Sequence, residues 1–512
     1  MASGDDWAYT DALRPPVYIC LRRKIHPTDA GCEPMRLDGR VDKDEWAHVP
    51  WSEPFVDIEG PERKPAEHPL TRFKMMYDDD TLYVGAELME PKIWGTIAEK
   101  NSTMYHENDM EVFFNLDGSR HHYYELEVNC LNTIWELLLH RPYKDGYSIE
   151  NPFNLVSLRS AVFVDGRTNS PETECVKWCV EMSWSLAELQ QFDKLRYRGA
   201  LDELLSSGPR PGTASTATPR PPSASARTTR PALTTGRTVA GDVWRVNFSR
   251  VQYELETVVN ADTNQLQYQK VPDKREDNIV WAPTGVIDIH RPERWGYVFF
   301  SSENELPGGE LELAGAMTGF LEEQMAIERV LDAVYYRQRA FHAFHGGFAS
   351  TMEMLYASLP SGSLNADANG CTEAFPLSEL LRRYELDFPV LSCRSDLTDS
   401  DPLGELSKIA GLQSVVEPED RTSSDGTRRK TSRRYAPALD QHDEHFGGED
   451  SSALAADFVK EVVPPPPPTL SPRSQEMRNL EARGLFSNYT VTVCSSTQEW
   501  RMTHDGRLWQ TS

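Results

Sequence analysis

The stretch NDMEVFFNLDGSRHHYYELEVNC, residues 108–130, decides the fold. Its first half places Met110, Val112 and Phe114 on one side of an extended chain and Asp109, Glu111 and Phe113 on the other. Its second half sets Leu126, Val128 and Cys130 against Glu125, Glu127 and Asn129. A period of two marks a strand with one face in a core, and Asp117-Gly118 between the halves is a turn signal. Paired as neighbours, the two strands would gather Asp109, Glu111, Glu125, Glu127 and Asn129 into one polar patch. Carboxylates that close repel one another unless a cation, protonation or a hydroxyl-rich ligand offsets them. A bare, solvated sheet face has the same alternation, so the pattern alone leaves both readings open.

The same period recurs outward from this hairpin. Val176, Trp178, Val180 and Met182 alternate with Cys175, Lys177, Cys179 and Glu181. Asp-Gly pairs at 38–39, 117–118, 145–146 and 165–166 punctuate residues 17–200. Many short strands with such turns predict a mainly β chain built on an antiparallel β-sandwich. Strand signals resume at 243–248, 295–300 and 489–493, and residues 500–509 read as a hairpin around Asp505-Gly506. Trp46, Trp178 and Trp184 sit on apolar patterns and are assigned to the core.

Between 319 and 345 the spacing becomes helical, with Ile327, Val330, Leu331, Val334, Gln338 and Phe341 on one stripe and Gly346-Gly347 as the stop. Residues 206–240 and 361–484 are too polar and proline-rich to pack, and are expected to be disordered insertions. The second contains a basic run at 428–434 and five prolines at 464–468. The expected organisation is an N-terminal extension with a first strand (1–34), the interrupted sandwich (35–305), a helical extension packed on it (306–360), the loose segment (361–484), and C-terminal strands returning to the sandwich (485–512).

The chain has 512 residues, a formal net charge of −26 and 39% hydrophobic residues. An acidic surface repels phosphate, which argues against nucleic-acid partners and anionic membranes. The eight cysteines show no paired metal-ligand spacing. The N-terminal residues MASGDDWAYTDALRPP contain no basic region followed by an apolar run. At face value that indicates a cytoplasmic chain, and an extracellular one if residues precede them.

The ordered set LDGRVDKDEW, MMYDDDTLYVGAEL, YHENDMEVFFN, YYELEVN and HRPERWGYVFFS resembles carbohydrate-binding module family 9 and the broader DOMON-like sandwiches. The resemblance spans roughly residues 35–300 without the insertion. It implies non-catalytic binding of a saccharide or polysaccharide, linked to glycan catabolism. It also implies a ligand held between two aromatic rings. Tyr105 matches one ring, Glu111 a binding carboxylate, Asn129 a binding amide and Asn247 a further polar contact. Trp281 and His290 are candidates for the second ring. Glu127 stands where the family has an arginine. Structural calcium is also implied, with Asp38–Asp44 and Asp78–Asp80 as acidic stretches but no ligand set. Two alternatives stay open. Asp109 and Glu111 could be the carboxylate pair of a glycoside hydrolase, or Met75, Met76, His121, His122 and His290 could serve a haem-binding redox domain. Protein partners are not legible.

Overall fold

A computed structural model turns the alternating segments into paired strands. It describes residues 13–24, 34–64, 69–146, 148–194, 239, 242–301, 304–305, 310–357, 381–382, 386–387, 389–393, 485–486, 488–495 and 499–510. The expected insertion at 206–240 (Val239 apart), the basic run and the proline run lie outside the described residues.

The strands are β1 (Val17–Arg22), β2 (Val56–Asp57), β3 (Thr71–Tyr77), β4 (Thr81–Met89), β5 (Asp109–Asn115), β6 (Tyr123–Asn129), β7 (Ile134–Arg141), β8 (Ser148–Glu150), β9 (Arg159–Asp165) and β10 (Lys177–Ser185). After the short helix α1 (Leu186–Lys194) come β11 (Val243–Gln252), β12 (Leu255–Val259), β13 (Leu266–Lys270), β14 (Asp277–Val280) and β15 (Gly296–Phe300). One curled sheet runs β8-β7-β6-β5-β11-β15-β1-β3-β4-β10-β9, with β14 and β2 added beside β11. It doubles over at β1, where Val17–Cys20 pair with β15 and Leu21–Arg22 with β3. The halves enclose a core containing Phe73, Val84, Phe114, Leu126, Trp178, Trp184 and Trp244. The fold is thus a β-sandwich, but its sheet is mixed rather than wholly antiparallel, because β1 lies parallel to both neighbours. No hairpin joins β1 to either of them, so nothing imposes the antiparallel sense.

A smaller core covers the outer face of the β3-β4-β10 layer, with Met35, Val41, Trp46 and Val49 against Met76, Tyr83 and Cys179. Glu181 is buried there and holds the 38–46 loop. It accepts from the Asp38 and Gly39 amides at 2.8 and 2.9 Å, Trp46 Nε1 at 2.7 Å and Lys43 Nζ at 2.9 Å. Trp46, Trp178 and Trp184 are all buried, as their patterns indicated.

The helical spacing becomes α2 (Glu310–His345), followed by α3 (Met352–Ala357). Gly346 ends α2 at φ +79°, its N–H bonded to the His342 carbonyl at 2.8 Å. The apolar stripe was expected on the sandwich and the last strands in its sheet. Instead, β17 (Val390–Cys393), β19 (Tyr489–Cys494), β20 (Glu499–Thr503) and β21 (Leu508–Gln510) form a separate sheet. Beside it, β16 (Phe348–Ala349) pairs with β18 (Leu485–Phe486). Ile327, Val330, Leu331, Val334 and Phe341 of α2 share a second core with Tyr489, Val491, Val493, Met502 and Leu508.

The sandwich meets α2 through buried polar groups instead. Arg120, at the tip of the β5–β6 loop, pairs with Asp332 and, at 3.0 Å, with Glu328. Tyr297 donates to Glu328 at 3.2 Å. No helix among the described residues is long and apolar enough to cross a membrane.

Candidate functional site

The register around β5 brings the acidic side chains together. Asp109 lies opposite Asn129 on β6 and Val251 on β11; Glu111 opposite Glu127 and Ser249; Phe113 opposite Glu125 and Asn247. On β7, Trp135 faces Glu127 and Leu137 faces Glu125. Directly opposed residues share a face, so four carboxylates, Asn129 and Trp135 stand on the outer side of one layer. They are not solvated. Asp109 is 0% exposed, Glu111 6%, Glu125 4% and Glu127 2%.

Burial raises the pKa of all four carboxyls. It pushes Glu111 from its ordinary 4.5 to about 7, with the Ser249 hydroxyl pulling the other way. Asp109, Glu125 and Glu127 lie well above the usual carboxylate range, first through desolvation and then through neighbouring carboxylates. Asp109 accepts from the Val251 amide at 3.3 Å. Its Oδ2, Glu125 Oε2 and Glu127 Oε2 are buried with no hydrogen-bond partner. One carboxylate oxygen each from Asp109, Glu111 and Glu127 lies within 4.8 Å of the other two, the spacing of a metal-ligand set. Such a row can hold protons and donate, or, ionised, accept sugar hydroxyls or a cation.

Aromatic side chains pack on the same face. Tyr105 sits half-buried on the turn Met104–His106, its ring 6.1 Å from that of Trp135 and tilted by 32°. The β12–β13 hairpin braces that turn, with Lys270 donating to the His106 carbonyl, and Tyr253 just before it donates to the Tyr105 carbonyl at 3.0 Å. Half-buried His290 lies 4.4 Å from the Tyr143 ring, 5.8 Å from Phe113, and 2.9 Å from the Tyr123 hydroxyl through Nδ1. Trp295 closes the space beneath, 5.0 Å from Tyr123 and 5.5 Å from Phe113.

The expected site residues therefore divide. Tyr105, Glu111, Glu127 and His290 belong to this face. Asn129 does too, but its amide is fully engaged. It donates to the Ile97 carbonyl at 2.7 Å and Glu107 at 2.6 Å, and accepts from the Leu131 and Thr133 amides, both at 3.0 Å. Asn247 bonds the Ala282 backbone through both its N–H and its oxygen, at 3.0 and 2.9 Å, tying β11 to the following loop. Trp281 is not a second ring. It lies inside the sandwich, edge-on to Phe73 at 5.0 Å, in space that a side chain at Gly296 would fill. Trp135 and Tyr143 were not singled out from the sequence.

The haem candidates do not converge. Met75 packs in the main core and Met76 in the smaller one, on opposite faces of β3, while His121 bonds the Asp505 carbonyl at 2.8 Å. In the acidic stretches considered for calcium, Asp38 and Asp78 are engaged in turns. Asp38 accepts from Arg40 N and Lys43, and Asp78 from Asp80 N, Thr81 N and Tyr83.

Residues 37–137 match the model of a family described as carbohydrate family 9 binding domain-like. The chain carries a family 9-like carbohydrate-binding domain. The matched segment of this family 9-like domain runs through the 38–46 loop, β5 and β6 to Trp135, and so contains Asp109, Glu111, Glu127 and Asn129. Among solved structures, a family 9 module from Caldicellulosiruptor kristjanssonii in complex with glucose is similar at 13% identity and TM-score 0.30, covering 57% of this chain and 99% of its own. The same organism's module in complex with cellotriose has 14% identity, TM-score 0.30 and the same coverage. A putative carbohydrate-binding protein from Bacteroides uniformis has 12% identity and TM-score 0.34, covering 56% and 99%. No curated protein matches the chain.

Proposed function

We propose that the family 9-like domain binds a saccharide against the outer face of β5 and β6, as a binding module rather than a hydrolase. The observation that carries this reading is the half-buried Tyr105 ring 6.1 Å from that of Trp135, which pairs in register with Glu127 on β6. A sugar offers apolar C–H faces to rings and hydroxyls to carboxyls, and this face offers both in one place. Asn129 and Asn247 are positioning residues in this reading, since their amides hold the strands and loops that carry the contacts. Glycosidases set two carboxyl groups on either side of the bond they cleave. Here all four come from adjacent strands on one face, which favours binding over hydrolysis.

A glycan array screened with the full chain tests the proposal. Binding to at least one saccharide is expected, and Tyr105→Ala and Trp135→Ala should each weaken it roughly tenfold or more, about 1.4 kcal/mol, with the circular dichroism spectrum unchanged. An array without hits overturns the function. Hits that both variants retain at wild-type affinity overturn the site.

A further inference from the structure

Among the described residues the four buried acids have no basic partner. The nearby guanidinium groups are committed elsewhere. Arg250, next to Ser249 on β11 but projecting to the other face, pairs with Glu90 at 2.6 Å and also bonds Thr71 and the Met89 carbonyl. Arg245 is held by the carbonyls of Pro292 and Glu293. Independently of that charge balance, Oδ2 of Asp109 and Oε2 of Glu127 are buried with no partner, on two of the three side chains whose oxygens converge within 4.8 Å. A buried oxygen without a donor costs about 1–3 kcal/mol, more when charged.

We propose that Asp109, Glu111 and Glu127 form a binding site for one oxygen-preferring divalent cation of the calcium class. All the ligands are carboxylate oxygens, which suit hard cations rather than zinc or copper. Oxygens around a calcium ion at roughly 2.3–2.6 Å stand up to about 5 Å apart across it, and the observed convergence falls inside that limit. The three side chains come from adjacent strands with fixed register, so the site is pre-formed. Three carboxylates leave coordination positions for water, for Glu125 two residues along β6, or for a ligand's hydroxyls. The cation site stands on its own and does not require that a saccharide bind.

The test uses the full chain, stripped with a chelator and dialysed. Titration with calcium chloride by calorimetry should show one ion per chain, and calcium should raise the melting temperature by a few degrees. Terbium, a calcium substitute, should emit on tryptophan excitation, since Trp135 faces Glu127, and calcium should quench that emission by displacement. Glu127→Gln and Asp109→Asn should abolish the calcium-dependent rise in melting temperature, whereas Asp44→Asn, in the exposed acidic loop, should not. Trp135→Phe should lower terbium emission while calorimetric calcium affinity is kept. This readout places the ion even if an amide variant fails to fold. No binding of calcium, magnesium or manganese by the wild type at millimolar concentration overturns the proposal. So does binding that Glu127→Gln and Asp109→Asn retain, or terbium emission that Trp135→Phe leaves unchanged.

Discussion

Glu111→Gln should make the metal-free protein more stable at neutral pH and change little in acid. The Glu111 carboxyl is buried, and its pKa rises from 4.5 in the unfolded chain to about 7 in the fold. Between those values the unfolded chain releases the proton while the folded chain keeps it. The wild type therefore loses stability as pH rises through that window, the opposite of the usual salt-bridged carboxylate. At about 1.4 kcal/mol per tenfold in proton affinity, the full difference is on the order of 3 kcal/mol by pH 7–8. Gln keeps the shape and a carbonyl for the Ser249 hydroxyl but carries no proton to lose. Removing one charge also eases Glu125 and Glu127, whose pKa values Glu111 helps to raise. Urea denaturation in chelator, followed by tryptophan fluorescence from pH 4 to pH 8, reads the effect. The two proteins should have similar midpoints at pH 4, and the variant should pull ahead as pH rises. A variant less stable than wild type at pH 7, or a difference independent of pH, would refute the burial argument.

Two further changes probe the frame around the site. Arg120→Met removes the cation between Asp332 and Glu328 and leaves two buried carboxylates facing the sandwich. A loss of about 3–5 kcal/mol is expected, seen as an earlier urea transition and as protease cleavage in α2, and Asp332→Asn with Glu328→Gln in the same chain should recover part of it. Gly39→Ala puts a β-carbon 2.2 Å from the Phe163 amide nitrogen at a position with φ +82°. It should lower stability by about 1–3 kcal/mol in a thermal melt, and an unchanged melting temperature would mean that the 38–46 loop does not pack on β9.

The strands were legible because their alternation is local. Lys177–Ser185 and Val243–Gln252 appear where period two runs, and Asp505-Gly506 turns the last hairpin as its dipeptide signals. Strand direction and partnership were not legible, because they depend on contacts far apart in sequence. Nothing in Val17–Arg22 announces that it runs parallel to both neighbours. The stripe of α2 showed that the helix buries one side, but a stripe carries no address. Its apolar residues could cover any sheet, and the deciding signal, Glu328 and Asp332 on its other side meeting Arg120, lies some two hundred residues away in sequence.

At the site, the sequence showed which side of β5 and β6 the acids take but not what lies over them. Alternation distinguishes two faces; it does not say that the polar one is wet. Separate turns bring Tyr105 beside Trp135 and set His290 and Trp295 against Phe113 and Tyr123, and the β7 pattern that would have pointed to Trp135 is hidden because that strand is apolar on both sides. Its one acid, Glu136, is buried on the opposite face, taking the Tyr124 hydroxyl at 3.0 Å and the Leu155 amide at 2.9 Å. That contrast argues for function at the other row. Glu136 has donors for its charge, as buried polar groups ordinarily do. Asp109, Glu125 and Glu127 keep oxygens with none. Apolar residues of similar volume would fill such a face at equal or lower free energy, so a row of acids that weakens the empty fold makes physical sense where something outside the chain completes it.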